Sequence, residues 1–340
     1  MSNKVLLTGV SGFLGGHIAL ALLAAGYTVR GSLRNPGRAD HVRATLAKAG
    51  GDVARLEFVT LDLLKDDGWE AAAQGCRFVA HAASPFVLTL PLDRTTLIRP
   101  AVEGTARALN AALTAKVERV VLTSSIAAIA YGHPRTRTAP YTARDWSDLD
   151  GPGGTAYTDS KTLAERRAWE IVNAAGREND LVAINPGMIL GPLLDEDPGT
   201  SALTALRLMN GTMPAAPRIA FPIVDARDVA AAHVAALTSP SAGGRRFPIG
   251  DDCLSLKQLA DVLRRRLPDR ARKAPRFEMP NWAVRLYALF DRDLRGNLDE
   301  LGAMRRIDAS DAVALLGRAL IPAEEALVAT AESLIAFGLV

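Results

Sequence analysis

The first strand-to-helix turn constrains the fold of this chain more than any other stretch. Val5-Leu6-Leu7-Thr8 is a short apolar run, and Gly9, Gly12 and Gly15 follow it at three-residue spacing. Leu14, Ile18, Ala21, Leu22 and Ala25 then recur with helical period, and Gly26 stands where a helix C-cap belongs. A strand that turns on glycines into a helix is the opening unit of an α/β sheet. There the backbone can approach a pyrophosphate at the helix N-terminus, where unpaired N–H groups and the helix dipole favour an anion. Gly9 makes the tight turn, Gly12 admits the phosphates, and Gly15 lets helix and strand pack closely, with Ser11, Phe13 and Leu14 in the same phosphate-binding turn. The spacing is G-x-x-G-x-x-G, not G-x-G-x-x-G, and a purely structural turn is the alternative.

The alternation continues through two-thirds of the chain. Residues 27–33, 56–61, 78–81, 120–123 and 181–184 read as further strands, with crossover helices at 101–115 and 160–175. This predicts an α/β fold, a Rossmann-type doubly wound parallel sheet. From Pro186 prolines and glycines multiply, and after Ile249 the pattern is mainly helical. Ser255 and Gln258 form a capping box ahead of Leu256, Leu259 and Leu263, and Pro322 opens a last apolar helix closed by Gly338. Val224 to Leu237 reads as a return to the first unit. The expected division is a dinucleotide-binding domain of residues 1–185 plus 223–238, and a smaller, mainly helical substrate-binding domain of 186–222 plus 239–340.

Composition narrows the partners. Forty Lys+Arg against 37 Asp+Glu leave a net charge of +3, too small an excess to imply nucleic acid or a membrane surface. The densest basic run, Arg264-Arg265-Arg266 through Arg276, lacks interleaved aromatics and reads as a solvated helix face and loop. Two cysteines, Cys76 and Cys253, provide neither a disulfide framework nor metal-ligand spacing, so no metal is expected. No apolar run approaches the ~18 residues that span a bilayer, and strand pattern begins within four residues of Met1, leaving no room for a signal peptide. A cytoplasmic protein, monomer or homodimer, is expected.

The chemistry concentrates in Ala156-Tyr157-Thr158-Asp159-Ser160-Lys161. On a helix, Tyr157 and Lys161 share a face. A free phenol titrates near pH ~10, and a cation within about 4–6 Å can lower that by roughly 1–3 units, which makes a general acid usable near neutrality. A solvated surface pair is the alternative. Thr123-Ser124-Ser125 ends the fifth strand, where an open parallel sheet binds ligands, so these hydroxyls belong at the reactive end of a cofactor, unless they are turn formers. After the second strand, Thr28-Val29-Arg30-Gly31-Ser32-Leu33-Arg34 carries no Asp or Glu to accept a ribose 2′-hydroxyl. Arg34 is placed to fork onto a 2′-phosphate, with Arg30 and Ser32 as secondary candidates, which favours NADP(H) over NAD(H).

Together these motifs resemble the extended short-chain dehydrogenase/reductases, and within them the group of dihydroflavonol, cinnamoyl-CoA and aldehyde/ketone reductases. The glycine turn, Asp62-Leu63, Ala82-Ala83-Ser84-Pro85-Phe86, Thr123-Ser124-Ser125, Tyr157 with Lys161, Asn185-Pro186-Gly187, residues 224–230 with His233, and the closing residues 333–340 carry the likeness. The resemblance implies that Ser125 hydrogen-bonds a substrate carbonyl oxygen and Tyr157 protonates it, while Lys161 holds the nicotinamide ribose and lowers the Tyr157 pKa. It places Asp62 and Leu63 at the adenine, Ala82, Ala83 and Ser84 along the ribose and pyrophosphate, Thr123 beside the cofactor, and Pro186 and Met188 against the nicotinamide. The family's second phosphate contact, a lysine, is missing; His41 and Arg43 occupy that region.

The activity this implies is an NADPH-dependent carbonyl reductase, reversible as an alcohol dehydrogenase, acting on a small hydrophobic carbonyl or alcohol. Phe86, Ile126, Met188 and Phe221 are candidate pocket residues that read equally as core. Trp146 reads either as part of a loop over the cleft or as a packing anchor. A nucleotide-sugar epimerase or dehydratase, a hydroxysteroid dehydrogenase and a non-catalytic redox sensor are the alternatives. The dehydratases place an acidic residue after the threonine, where this chain has Ser124. Sensors lose the tyrosine or the lysine, and this chain keeps both.

Overall fold

A computed structural model describes residues 3–85, 93–134, 136–289, 295 and 298–340. In chain order the main elements are β1 (Lys4–Thr8), α1 (Phe13–Ala24), β2 (Thr28–Leu33), α2 (Ala39–Lys48), β3 (Leu56–Thr60), α3 (Trp69–Ala73), β4 (Phe78–His81), α4 (Thr95–Thr114), β5 (Arg119–Thr123), α5 (Ala156–Ala174) and β6 (Leu181–Pro186). They continue with β7 (Met188–Leu190), α6 (Gly199–Asn210), β8 (Ala220–Asp225), α7 (Ala226–Thr238), β9 (Arg245–Ile249), β10 (Cys253–Ser255), α8 (Leu256–Arg266), α9 (Asn281–Tyr287), α10 (Ser310–Leu316) and α11 (Ala323–Ala336).

Seven strands form one parallel sheet in the order β3-β2-β1-β4-β5-β6-β9. The chain steps outward from β1 in one direction and from β4 in the other, so the carboxyl ends of β1 and β4 flank the point where strand order reverses, the place where such sheets bind ligands. Both faces are covered. Val5 and Leu7 point into a core with Ile18 and Leu22 of α1 and Val229 of α7, while Leu6 points into another with Leu109 of α4 and Ile171 of α5. Period-2 alternation along one fully buried strand therefore feeds two helical layers.

Two glycines of the first turn are required by space. Gly9 has φ +76°, and a Cβ there would stand 2.9 Å from the Ala83 backbone; a Cβ on Gly15 would stand 2.0 Å from the Gly9 carbonyl oxygen. Helix α1 can leave strand β1 at this angle only with hydrogen at both positions.

The seventh strand corrects the expected domain boundary. β9 lies within 239–340, the stretch assigned by pattern to the second unit, yet it pairs in parallel with β6, and Phe247 and Ile249 join the core of the large sheet. Its Pro248 is tolerated because β9 is an edge strand. The remaining short strands make a separate sheet in the order β10-β8-β7, around which α6, α8 and α11 bury a second core. Arg265 and Arg266 of α8 pair with Glu324 and Glu325 of α11. That part of the basic run is a clasp between two helices, not a free cationic face. Among the described residues no helix is long and apolar enough to cross a membrane.

Candidate active site

The site gathers at the carboxyl edge of the sheet. Gly12 is the N-cap of α1, exposed and without a side-chain capping bond, so the first N–H groups of that helix stay open to an anion. Across the switch point the Thr8 hydroxyl accepts from the Ala83 amide at 3.0 Å and lies 2.8 Å from His81 Nδ1. The Ala82-Ala83-Ser84 segment is thereby pinned beside the glycine turn. Asp62 Oδ1 accepts from the Leu64 amide at 2.9 Å, and Leu63 packs against Gly104.

At the end of β2 the cations sort themselves. Arg30 is held by Glu57 at 2.5 Å and by the carbonyls of Ala72 and Gln74, so it is not available to a phosphate. Arg30 and Glu57 are direct cross-strand partners in the β2–β3 pairing, which no single strand's sequence reveals. Ser32 is buried and accepts from the Gly9 amide. Arg43 donates to the carbonyls of Val53 and Leu56, and His41 pairs with Asp195. Arg34 is exposed just past β2, with no ion-pair partner among the described residues. Of the candidate cations at this edge, it alone is free to meet a ligand.

Tyr157 and Lys161 lie in the first two turns of α5, whose start is set by a capping box: Thr158 N donates to Thr155 Oγ1, and Thr155 N donates to Thr158 Oγ1. Ser125 follows β5, caps a short 3-10 turn through the Ala127 amide at 3.1 Å, and lies near enough to the Tyr157 phenol to pull its pKa down. Lys161 sits one turn along the same helix and lines a cavity with Thr123 and Ser124. The expected charge balance is corrected, however. Burial pushes the Tyr157 phenol above its ordinary value, and the opposing pull comes from Ser125. Burial lowers Lys161 to about 8, with the Glu165 carboxylate pulling it back up. Desolvation outweighs any pull by the lysine here, because both groups are drawn into the interior together.

Other candidates take defined places. The Thr123 hydroxyl is 2.7 Å from His233 Nε2, and His233 Nδ1 donates to the Val229 carbonyl, so Thr123 is the donor and ties β5 to α7. Pro186 is buried at the end of β6. Ile126 is buried, while Met188, Phe221 and Phe13 are partly buried and pack against the second core. Phe86 lies outside the described residues. Trp146 is a packing anchor, with the Arg246 guanidinium 3.8 Å from its ring centroid.

Two groups of residues were not visible in the pattern. Tyr131 lies close enough to Tyr157 for the two phenols to affect each other's charge, and burial pushes its own phenol well up. The Arg305 guanidinium covers its ring at 4.1 Å while pairing with Glu300 and donating to the Ala130 carbonyl. Beneath Lys161, Glu165 is fully buried and accepts from Ser124 Oγ at 2.5 Å, Asn185 Nδ2 at 2.7 Å, Trp169 Nε1 at 3.2 Å and Arg246 Nε at 2.5 Å. The only sequence signal for Glu165 was its position four residues after Lys161, a spacing common among solvated pairs. No group of three or more His, Cys, Asp or Glu among the described residues is arranged to hold a metal.

The profile of the family described as "NAD dependent epimerase/dehydratase family" matches residues 5–250. The chain belongs to this family. Among curated relatives it is 40% identical over 254 residues to a cinnamoyl-CoA reductase (CAD2) of Medicago truncatula, covering 72% of this chain and 75% of that one. It is 34% identical over 297 residues to the ketoreductase azaE of Aspergillus niger, covering 83% and 87%. Among solved structures it is similar to the yeast methylglyoxal/isovaleraldehyde reductase Gre2 complexed with NADPH, at 25% identity and a TM-score of 0.82, covering 99% of this chain and 100% of that one.

Proposed function

We propose that the protein is an NADPH-dependent carbonyl reductase, reversible as an alcohol dehydrogenase, that reduces an uncharged aldehyde or ketone. The chain is an NAD(P)-dependent oxidoreductase and uses NADP(H), as the NADPH-complexed reductase fold it shares indicates. The observation that carries the reading is the placement of Ser125, Tyr157 and Lys161 at the carboxyl edge of the sheet, with the open N-terminus of α1 at the same edge.

The residues present fit a dinucleotide. Gly9, Ser11, Gly12, Phe13, Leu14 and Gly15 would cradle the pyrophosphate, Asp62 and Leu63 would flank the adenine, and Arg34 would meet the 2′-phosphate. Ala82, Ala83, Ser84, Thr123, Pro186 and Met188 would line the path to the nicotinamide. When bound, the cofactor supplies the hydride.

The chain's own groups do the rest. Ser125 donates a hydrogen bond to the carbonyl oxygen as negative charge develops there, usually the largest lever an active site has. Tyr157 gives that oxygen its proton, which balances the hydride added at carbon and yields the alcohol. A phenol held above its ordinary pKa is fully protonated at neutral pH and so enters reduction as the acid. Lys161, charged below about pH 8, holds the ribose hydroxyls and stabilises the phenolate left behind.

The cleft side favours an uncharged substrate. Arg305, the guanidinium over Tyr131, is already engaged by Glu300, the Ala130 carbonyl and the Tyr131 ring, and Met188 and Phe221 add apolar surface. A sugar-nucleotide diphosphate would need cations there, and dehydration would need an acid where Ser124 is instead bound to Glu165. The division of labour follows: the seven-stranded unit binds cofactor, and the smaller unit around β7, β8 and β10 shapes the substrate side. Steady loss of NADPH absorbance with an aromatic aldehyde or diketone tests the proposal; tight NADPH binding with no turnover on any carbonyl in a broad panel would refute it.

A further inference from the structure

We propose that Glu165 is a positioning residue of this active site: its buried carboxylate keeps the Lys161 ammonium charged and locks the strand ends carrying Ser125 and Pro186 against the catalytic helix. This rests on the reading of Lys161 as the cation of the site.

Glu165 lies one helical turn beyond Lys161 and two beyond Tyr157 on α5, so the three share a face. Its partners come from the ends of three strands and from its own helix. Ser124, next to the substrate-facing Ser125, closes on it from β5; Asn185, next to Pro186, closes on it from β6 and also donates to the Ser125 carbonyl at 3.2 Å. From β9 comes Arg246, which also donates to the carbonyls of Ala143, Asp145 and Ala128 and covers the Trp146 ring. All of these partners donate and the carboxylate only accepts, so each lone-pair direction is used. Moving any one strand end would leave a buried donor unpaired, which the interior penalises heavily.

The charges facing Lys161 leave Glu165 a specific task. From β4 it meets His81, which burial holds neutral. From α4 it meets Thr105, and from β5 Thr123 and Ser124, none of them charged; the histidine behind Thr123, His233, is also neutral by burial. From its own helix it faces Glu165, while Tyr157, one turn back, is kept protonated by burial. Among the described residues Glu165 is thus the one anion facing the ammonium, and Arg246 neutralises the carboxylate from its far side. Without that anion a buried amine sheds its proton more readily, and a neutral amine would neither hold ribose hydroxyls strongly nor stabilise a phenolate.

The test is the pH dependence of kcat/KM, which reports the free enzyme's groups, together with the NADPH dissociation constant by fluorescence over the same range. For the wild type both weaken as pH rises through about 8. Glu165→Gln should move that limb to lower pH by roughly one unit or more, in turnover and in NADPH binding alike. Glu165→Asp should leave the limb in place. Glu165→Gln leaves Arg246 buried without its partner and could fail to fold. The double variant Glu165→Gln with Arg246→Met removes both charges, a change buried ion pairs tolerate, and should show a downward shift of smaller size, because losing the more distant Arg246 cation works against it. A limb unmoved in the folded Gln variants, or an equal loss at every pH, overturns the proposal. Lys161→Met and Tyr157→Phe separate the two readings. If they turn over normally, the active-site assignment itself fails; if they lose turnover while the Gln limb stays put, only the role of Glu165 fails.

Discussion

The two ends of the ligand-binding edge are built in opposite ways. At the end of β2, Arg34 stands exposed and alone. At the ends of β5 and β6, Ser124, Asn185, Glu165, Arg246 and Trp169 interlock in the interior, beside Ser125, Tyr157 and Lys161. On the proposed reading, cofactor choice would rest on a local, replaceable group, whereas reaction geometry would be over-determined by bonds between segments far apart in the chain. Selectivity at the exposed end would then change without cost to the fold, and chemistry at the buried end would not.

Four measurements sharpen or break this contrast, from the largest effect down. Tyr157→Phe should lower kcat by about 10²–10⁴-fold with NADPH affinity changed only a few-fold, since the hydroxyl acts on substrate; a wild-type kcat would remove the buried end's claim to chemistry. Arg246→Ala should destabilise the fold by about 3–5 kcal/mol by leaving the Glu165 carboxylate buried and unpaired, read as a fall in denaturant midpoint; a surface-like change would mean the network is not the frame it resembles.

Arg34→Ala should raise the KM for NADPH by about 10–100-fold, the equivalent of losing a hydrogen bond to a charged group, with little change for NADH and no change in melting temperature. Equal changes for both cofactors would show that Arg34 does not meet the 2′-phosphate. Thr155→Ala removes the cap of α5 and should cost about 1 kcal/mol. Because the helix is also held by Glu165, kcat should fall by less than the Tyr157 substitution lowers it. A kcat loss as large as that of Tyr157→Phe would show that the cap, not the network, places the phenol.

What could be read without coordinates was what neighbours in sequence decide. The glycine turn is legible because Gly15 answers to the Gly9 carbonyl within the same turn, and Ser255 with Gln258 closes its capping box within one turn; that Gly9 must also clear the Ala83 backbone is a long-range contact. Arg34 was the leading phosphate candidate and Arg30 a secondary one; the pairing of Arg30 with Glu57 on β3, which no single strand reveals, set Arg30 aside. β9 escaped notice because a five-residue run holding Pro248 and flanked by glycines carries no signal of its own, and its strand identity comes from lying beside β6.

By itself, then, the sequence determined the doubly wound architecture, the glycine turn, and the helical spacing that puts Tyr157 and Lys161 on one face, since periodicity, propensity and turn chemistry act over short distances. Only the tertiary structure decided the charge state of that edge. Burial raises the phenol against the expected direction and lowers the ammonium, and the Glu165 carboxylate is enclosed by Arg246, 81 residues away. Desolvation is a property of everything packed around a group, so no local pattern encodes it.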